Sequence, residues 1–162
     1  MRVERQVIAM LALVLGTVAS APVAAGDAQD PAVERGRYLA RIAGCNDCHT
    51  TGYPQSGGRV PESEWLKGDR LGWRGPWGTT YAGNLRLLAD GITQEQWLNL
   101  ARNARYRPPM PWFALRDMSE EDLVAIYRLL RHLGPAGEPG PAWVPPDQDP
   151  QGPFVQFPAA PE

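Results

Sequence analysis

The pentad Cys45-Asn46-Asp47-Cys48-His49 constrains this chain more than any other feature, because it holds the only two cysteines among 162 residues. Residues three apart share one face of a helical turn. Two sulfurs so placed can bond to one flat group through two neighbouring points, with the next residue, His49, beneath it. Two cysteines followed at once by histidine read as c-type haem attachment. The sulfurs would form thioethers to the haem vinyl groups, and the His49 imidazole would face the iron. Three other readings compete. A redox dithiol also uses this cysteine spacing but wants a strand before it, whereas the residues before Cys45 read as helix. A structural zinc needs about four ligands, and beyond the motif only His132 offers a second imidazole. Chance occurrence is the third.

The N-terminus bears on where such a group would be attached. Arg2 and Arg5 precede an apolar run from Val7 to Val18, which passes into small residues as far as Ala25. This is the plan of a secretory signal peptide over residues 1–25, with processing expected between Ala25 and Gly26. The apolar run is shorter than the roughly twenty residues that span a bilayer. Export to the periplasm is therefore expected, with no integral membrane span after cleavage; retention as an anchor is the alternative. Residues 26–162 carry 14 basic and 17 acidic side chains. That balance supplies no basic face, so no nucleic-acid partner is expected.

Helical signals recur along the chain. Asp30 followed by Pro31 is a helix entry, a capping side chain and a proline at the first helical position. Val33, Tyr38, Leu39 and Ile42 carry that helix toward Gly44. Thr93 and Gln96 form a capping box, with Ile92 and Trp97 at the staple positions. Pro108 and Pro109 end the second helix. Ser119 opens a third, its first turn filled by Glu120, Glu121 and Asp122, where the helix dipole favours anions. Leu123, Ile126, Tyr127, Leu130 and Leu133 follow at helical spacing up to Gly134-Pro135. Residues 50–91 read as turns, with one short helix near Glu62–Leu66 and no sustained alternation. The last 28 residues hold 9 of the 17 prolines. This stretch, 135–162, is predicted to be extended, either wrapped over the domain on Trp143, Phe154 and Phe157 or free of it.

Two methionines remain beyond the leader, Met110 and Met118. Met118 is explained as a helix staple. Met110 stands between Pro109 and Pro111, whose fixed φ stiffens the loop that would hold its thioether. With a haem in place, Met110 is the expected partner of His49 on the iron, the axial pair of the cytochromes c. His132 falls in the last turn of the third helix, where a cation suits the dipole.

With these residues in view, the chain resembles a class I cytochrome c over about Asp30 to Gly134. The resemblance rests on Cys45-Asn46-Asp47-Cys48-His49, on Pro109-Met110-Pro111-Trp112, and on Met118 to Leu123 leading into Ile126-Tyr127. The stretch Gly78-Thr79-Thr80-Tyr81-Ala82-Gly83-Asn84-Leu85 resembles a haem-flanking loop of cytochrome subunits of periplasmic dehydrogenases. The resemblance implies an all-α fold, about three main helices around one covalent haem c. It implies a domain over 26–134, with the proline-rich tail outside the family pattern. It also implies a contact between the first and last helices, with Gly36 and Tyr127 in the small and aromatic roles. A proline carbonyl that orients His49 is implied as well, with Pro61 matched to it and Pro54 as its rival. Trp65, Trp77, Tyr81 and Trp97 would exclude water from the haem.

The function so implied is passage of single electrons between redox protein partners, without catalysis. A subunit bound to a dehydrogenase or oxidase is the alternative. A haem enzyme or gas sensor with a displaceable Met110 is a further one, weakened because no acid–base pair accompanies the motifs. Arg102, Arg105 and Arg107, near Met110, are candidates to steer an acidic partner; a solvated helix face is the other reading.

Overall fold

Asp30 and Pro31 start the first helix as their chemistry dictates. In the computed structural model, which describes residues 30–158, α1 runs Pro31–Ile42, and the Asp30 side chain accepts from Ala32 N at 2.9 Å. The signal segment expected at 1–25 lies outside the described residues. The motif forms the short α2, Cys45–His49, entered through Gly44 in the left-handed region (φ 73°). Three further helices follow: α3 Leu85–Asp90, α4 Gln94–Asn103 and α5 Trp112–Asp117. The last, α6, spans Glu120–Leu133 behind its Ser119 cap.

Helices α1 and α6 build the core. Val33, Gly36, Leu39 and Ala40 line one face of α1, and Leu123, Ala125, Ile126, Leu129 and Leu130 line the facing side of α6. Gly36 sets their separation: a Cβ there would lie 2.3 Å from the Ala125 carbonyl oxygen and 2.8 Å from Leu129 Cβ. The close partners of Gly36 are thus Ala125 and Leu129. Tyr127, matched to that contact by resemblance, instead stacks near Trp97 (6.4 Å between centroids) and donates its hydroxyl to Ile92 O at 2.9 Å. Trp97 is buried and donates to Leu123 O at 2.8 Å, which pins α4 to α6. The C-terminus of α6 is closed by a buried arginine from α3. Arg86 donates to Gly134 O and Leu133 O and, at 2.8 Å, to Ser63 O. These carbonyls would otherwise lack partners at the helix end.

The all-α expectation is corrected by a small sheet. Strands β1 (Gly72–Gly75) and β2 (Gly78–Tyr81) form an antiparallel hairpin around Pro76-Trp77, and β3 (Phe154–Gln156) from the tail pairs parallel with β1. Each strand is three or four residues long. No alternating pattern can develop over that length. The proline-rich segment therefore wraps, the first of its two expected courses, and Phe157 packs on Trp77 with ring centroids 5.3 Å apart. The short helix expected near Glu62–Leu66 is a 3-10 turn at Glu62–Glu64.

One surface pair predicts a pH effect. Arg35 Nε donates to Asp122 Oδ1 at 2.9 Å, joining α1 to α6. Chiefly through that hydrogen bond, the Asp122 carboxyl is held below its ordinary value. A depressed folded pKa adds stability above the unfolded value, about 3.9, that is lost as pH falls through the folded one. Asp122→Asn is expected to lower the Tm slightly at pH 7, the difference shrinking once the pH falls below the unfolded value and through the lowered folded one. A gap that persists in acid, followed by circular dichroism, would assign the effect to something other than this pair.

Candidate functional site

The motif helix is fixed by one segment, residues 66–69, whose close approach depends on a glycine. At Gly68 the backbone is left-handed (φ 86°), and a Cβ would lie 2.8 Å from Ala82 O and 3.0 Å from Asn84 N. Residues 66–69 therefore press directly onto 82–84, with Asp69 N bonded to Ala82 O and Leu85 N to Leu66 O, both at 3.0 Å. On its other side the same segment grips α2: Gly68 N donates to His49 O at 2.8 Å, and Leu66 N to Thr50 Oγ1 at 2.8 Å. Thr50 in turn donates to Asn46 Oδ1 at 2.8 Å, inside the motif.

The imidazole of His49 completes this arrangement. Its Nδ1 lies 2.7 Å from the carbonyl oxygen of Gly83. A carbonyl only accepts, so Nδ1 carries the proton and Nε2 keeps its lone pair, the tautomer an Nε2 metal ligand requires. Burial pushes the imidazole pKa down, with the Gly83 bond partly opposing. The carbonyl that orients His49 is thus from Gly83 and not from Pro61 or Pro54. No sequence rule marks a carbonyl, since every residue carries one; only the 66–69 approach shows which is in place.

Both cysteines are free and half-buried. Burial pushes the Cys45 thiol up to about 11, and raises that of Cys48 as well. An exchanging dithiol needs a depressed thiol pKa, so this environment disfavours the redox-dithiol reading. Among the described residues no three His, Cys, Asp or Glu side chains gather into a metal-binding group, which disfavours the zinc reading. His132 is engaged elsewhere, with its Nε2 3.2 Å from an Arg37 nitrogen.

Met110 sits half-buried in the loop between α4 and α5, after a cis Pro108–Pro109 bond. The loop is tied to the hairpin by Thr80 Oγ1, which donates to Pro108 O at 2.6 Å. Three residues beyond Thr80 stands Gly83, the partner of His49. The segment 80–83 thus touches both the motif ring and the Met110 loop. Asn84, in the stretch matched to a haem-flanking loop, caps α3 by accepting from Arg86 N and Leu87 N at 3.1 Å each and donates to Ala136 O at 2.8 Å. An Asn ahead of a Leu-rich stretch was the signal for it.

The three arginines near Met110 separate. Arg102 is spent internally on Arg116 O and Met118 O. Arg105 stacks on Trp112 and Arg107 on Trp143, each 4.1 Å from the ring centroid. Trp65 and Trp97 are core residues, whereas Trp77 is half-buried with its Nε1 unpartnered.

A haem fits the residues present. Two free thiols and an imidazole lie on one short helix, and among the described residues three buried polar atoms have no partner: Asn46 Nδ2, Trp77 Nε1 and Thr79 Oγ1. Such orphans are costly, and two of them are donors in the hairpin beside Gly83, suited to an anionic group.

Comparison with known proteins gives the same direction. The chain is 32% identical over 135 residues to the gluconate 2-dehydrogenase cytochrome c subunit of Pantoea cypripedii, covering 76% of this chain and 28% of that protein. It is 30% identical to the cytochrome c subunit of the quinone alcohol dehydrogenase of Gluconobacter oxydans (strain 621H), covering 67% of this chain and 23% of the relative. The fructose dehydrogenase cytochrome subunit of Gluconobacter japonicus is 29% identical, over 70% and 24% of the two chains. This chain is a relative of dehydrogenase cytochrome c subunits. It spans about a quarter of the length of these curated relatives. No protein-family model and no solved structure matches it significantly. Among the described residues no helix is long and apolar enough to cross a membrane.

Proposed function

We propose that the chain is an electron-transfer cytochrome c, exported to the periplasm, with one haem c held by Cys45, Cys48, His49 and Met110. The observation that carries this reading is the His49–Gly83 bond, which places the ring proton on Nδ1 and leaves Nε2 unprotonated, as a metal ligand requires. A bound haem would supply a one-electron couple, and Met110 and His49 would be the residues to ligate its iron, a thioether ligand favouring a higher potential. The chain's residues do the rest. Cys45 and Cys48 would hold the group covalently, so that dilution could not remove it. Gly83 O fixes the His49 ring and raises its basicity. Trp77 Nε1 and Thr79 Oγ1 would donate to the haem carboxylates, and the Trp77–Phe157 contact keeps water from that side.

The relatives are named as cytochrome subunits of dehydrogenases, and we extend that setting to this chain, as an electron-transfer subunit bound to a dehydrogenase. Isolation from its native cells with a dehydrogenase bound through size-exclusion chromatography supports that setting; a free monomer that reduces several unrelated acceptors at equal rates refutes it.

Met110→Ala tests the ligand set. The methionine–iron charge-transfer absorbance of the oxidised protein is expected to disappear, and reduced protein should then bind carbon monoxide rapidly. A band that survives the substitution removes Met110 from the iron. A parent protein that already binds carbon monoxide rapidly would place it with haem enzymes or sensors.

A further inference from the structure

The loop that carries Met110 has little to hold it. Its prolines at 108, 109 and 111 donate no backbone hydrogen bonds. Among the described residues, loop 105–110 stacks Arg105 on Trp112 of the adjoining α5 and has two polar attachments to more distant segments: the Thr80–Pro108 hydrogen bond at 2.6 Å, and the stacking of Arg107 on Trp143 at 4.1 Å.

Trp143 belongs to the proline-rich segment and is itself anchored. Its Nε1 donates to Trp77 O at 2.9 Å. The next residue, Val144, exchanges both backbone hydrogen bonds with Thr79, at 2.8 and 3.0 Å. Gly78 makes the approach possible, since a Cβ there would lie 2.3 Å from Val144 O, and its backbone is left-handed (φ 93°). Prolines at 141, 145 and 146 pre-set the extended backbone and reduce the entropy lost in ordering it. Further along, Arg74 pairs with Asp149 at 2.8 Å and β3 joins β1. The hairpin thus holds Trp143, and Trp143 holds Arg107, three residues before Met110.

We infer that Trp143 is a positioning residue for Met110, acting through Arg107, and that the C-terminal segment is the outer wall of the methionine-ligand loop. The inference rests on Met110 being an iron ligand. Loosening the stack lets the thioether leave the iron more readily without altering the thioether itself.

The test uses full-length oxidised holo-protein titrated with imidazole, followed through the methionine–iron charge-transfer absorbance. Trp143→Ala removes the cation–π contact and the indole hydrogen bond, and is expected to raise the apparent imidazole affinity about tenfold. Trp143→Phe keeps a ring for Arg107 and should raise it only about threefold. Arg107→Gln changes an exposed side chain, leaves the fold in place and should also give a rise of about threefold or more. The double variant Arg107→Gln/Trp143→Ala should exceed Trp143→Ala by little, because the contact can be lost only once. Parent-like imidazole affinity in both Trp143→Ala and Arg107→Gln overturns the inference. If Trp143→Ala takes up no haem, Arg107→Gln alone decides. Survival of the band in Met110→Ala would instead defeat the ligand assignment, and the two failures are told apart by that control.

Discussion

Changing Cys45 and Cys48 together to serine is expected to leave no haem bound to the denatured chain. A serine hydroxyl cannot form the thioether, and no other cysteine exists in the sequence to replace either sulfur. The two thiols are free and sit on one short helix, so neither is occupied by a disulfide. Each single substitution should leave one thioether and a protein that still retains pigment through acid–organic extraction. The double variant should release all of it, and intact-mass measurement would read this directly. Haem still covalently attached to the double variant would mean that the motif is not the attachment site. A small loss of packing accompanies the change, because Cys45 contacts the core. Loss of that contact does not by itself remove a covalent bond, so mass and stability separate the two effects.

Gly36→Val is expected to destabilise the domain by about 4 kcal/mol, enough to unfold a marginal protein of this size. Two effects oppose each other at this position. Replacing a mid-helix glycine gains helix propensity, roughly 0.5–1 kcal/mol. Against it stands a Cβ only 2.3 Å from the Ala125 carbonyl oxygen. That atom is backbone in the middle of α6 and cannot swing aside. The helices must part by about an ångström, and overpacking of this kind costs about 1–3 kcal/mol or more, before valine's extra methyls are accommodated. Steric conflict therefore outweighs propensity. Gly36→Ala should fall between, losing about 2 kcal/mol. Urea denaturation checks both, through a lowered midpoint at unchanged slope. A Gly36→Ala protein as stable as the parent would show that α1 and α6 separate freely, contrary to the packing described.

Both results return to how the molecule is specified. Local signals announced the three long helices: the Asp30-Pro31 entry, the Thr93–Gln96 capping box and the Ser119 cap each appear at the helix they predict. Capping and helical periodicity act within four residues, so they can be read in one dimension. The motif was equally legible, because the spacing of Cys45, Cys48 and His49 is itself the chemistry. Helices α3 and α5 were missed for want of length, and α5 has no side-chain cap as well. The hairpin was missed because its strands are recognised by backbone partners, one of them the tail some eighty residues away in Phe154.

The motif, the residue types able to ligate and the starts of the long helices are local properties and are legible in the chain, whereas α4 stops at Asn103, ahead of the Pro108-Pro109 pair expected to end it. Which carbonyl orients His49, which arginines are spent internally, and that the proline-rich tail closes on the hairpin follow from tertiary contacts alone. Gly83 meets His49 because Gly68 lets one loop lie against another, and Arg107 meets Trp143 because Gly78 admits Val144. The physical reason is common to these cases. A close approach depends on what is absent from a glycine and on what arrives from a distant segment, and neither is written beside it in the chain.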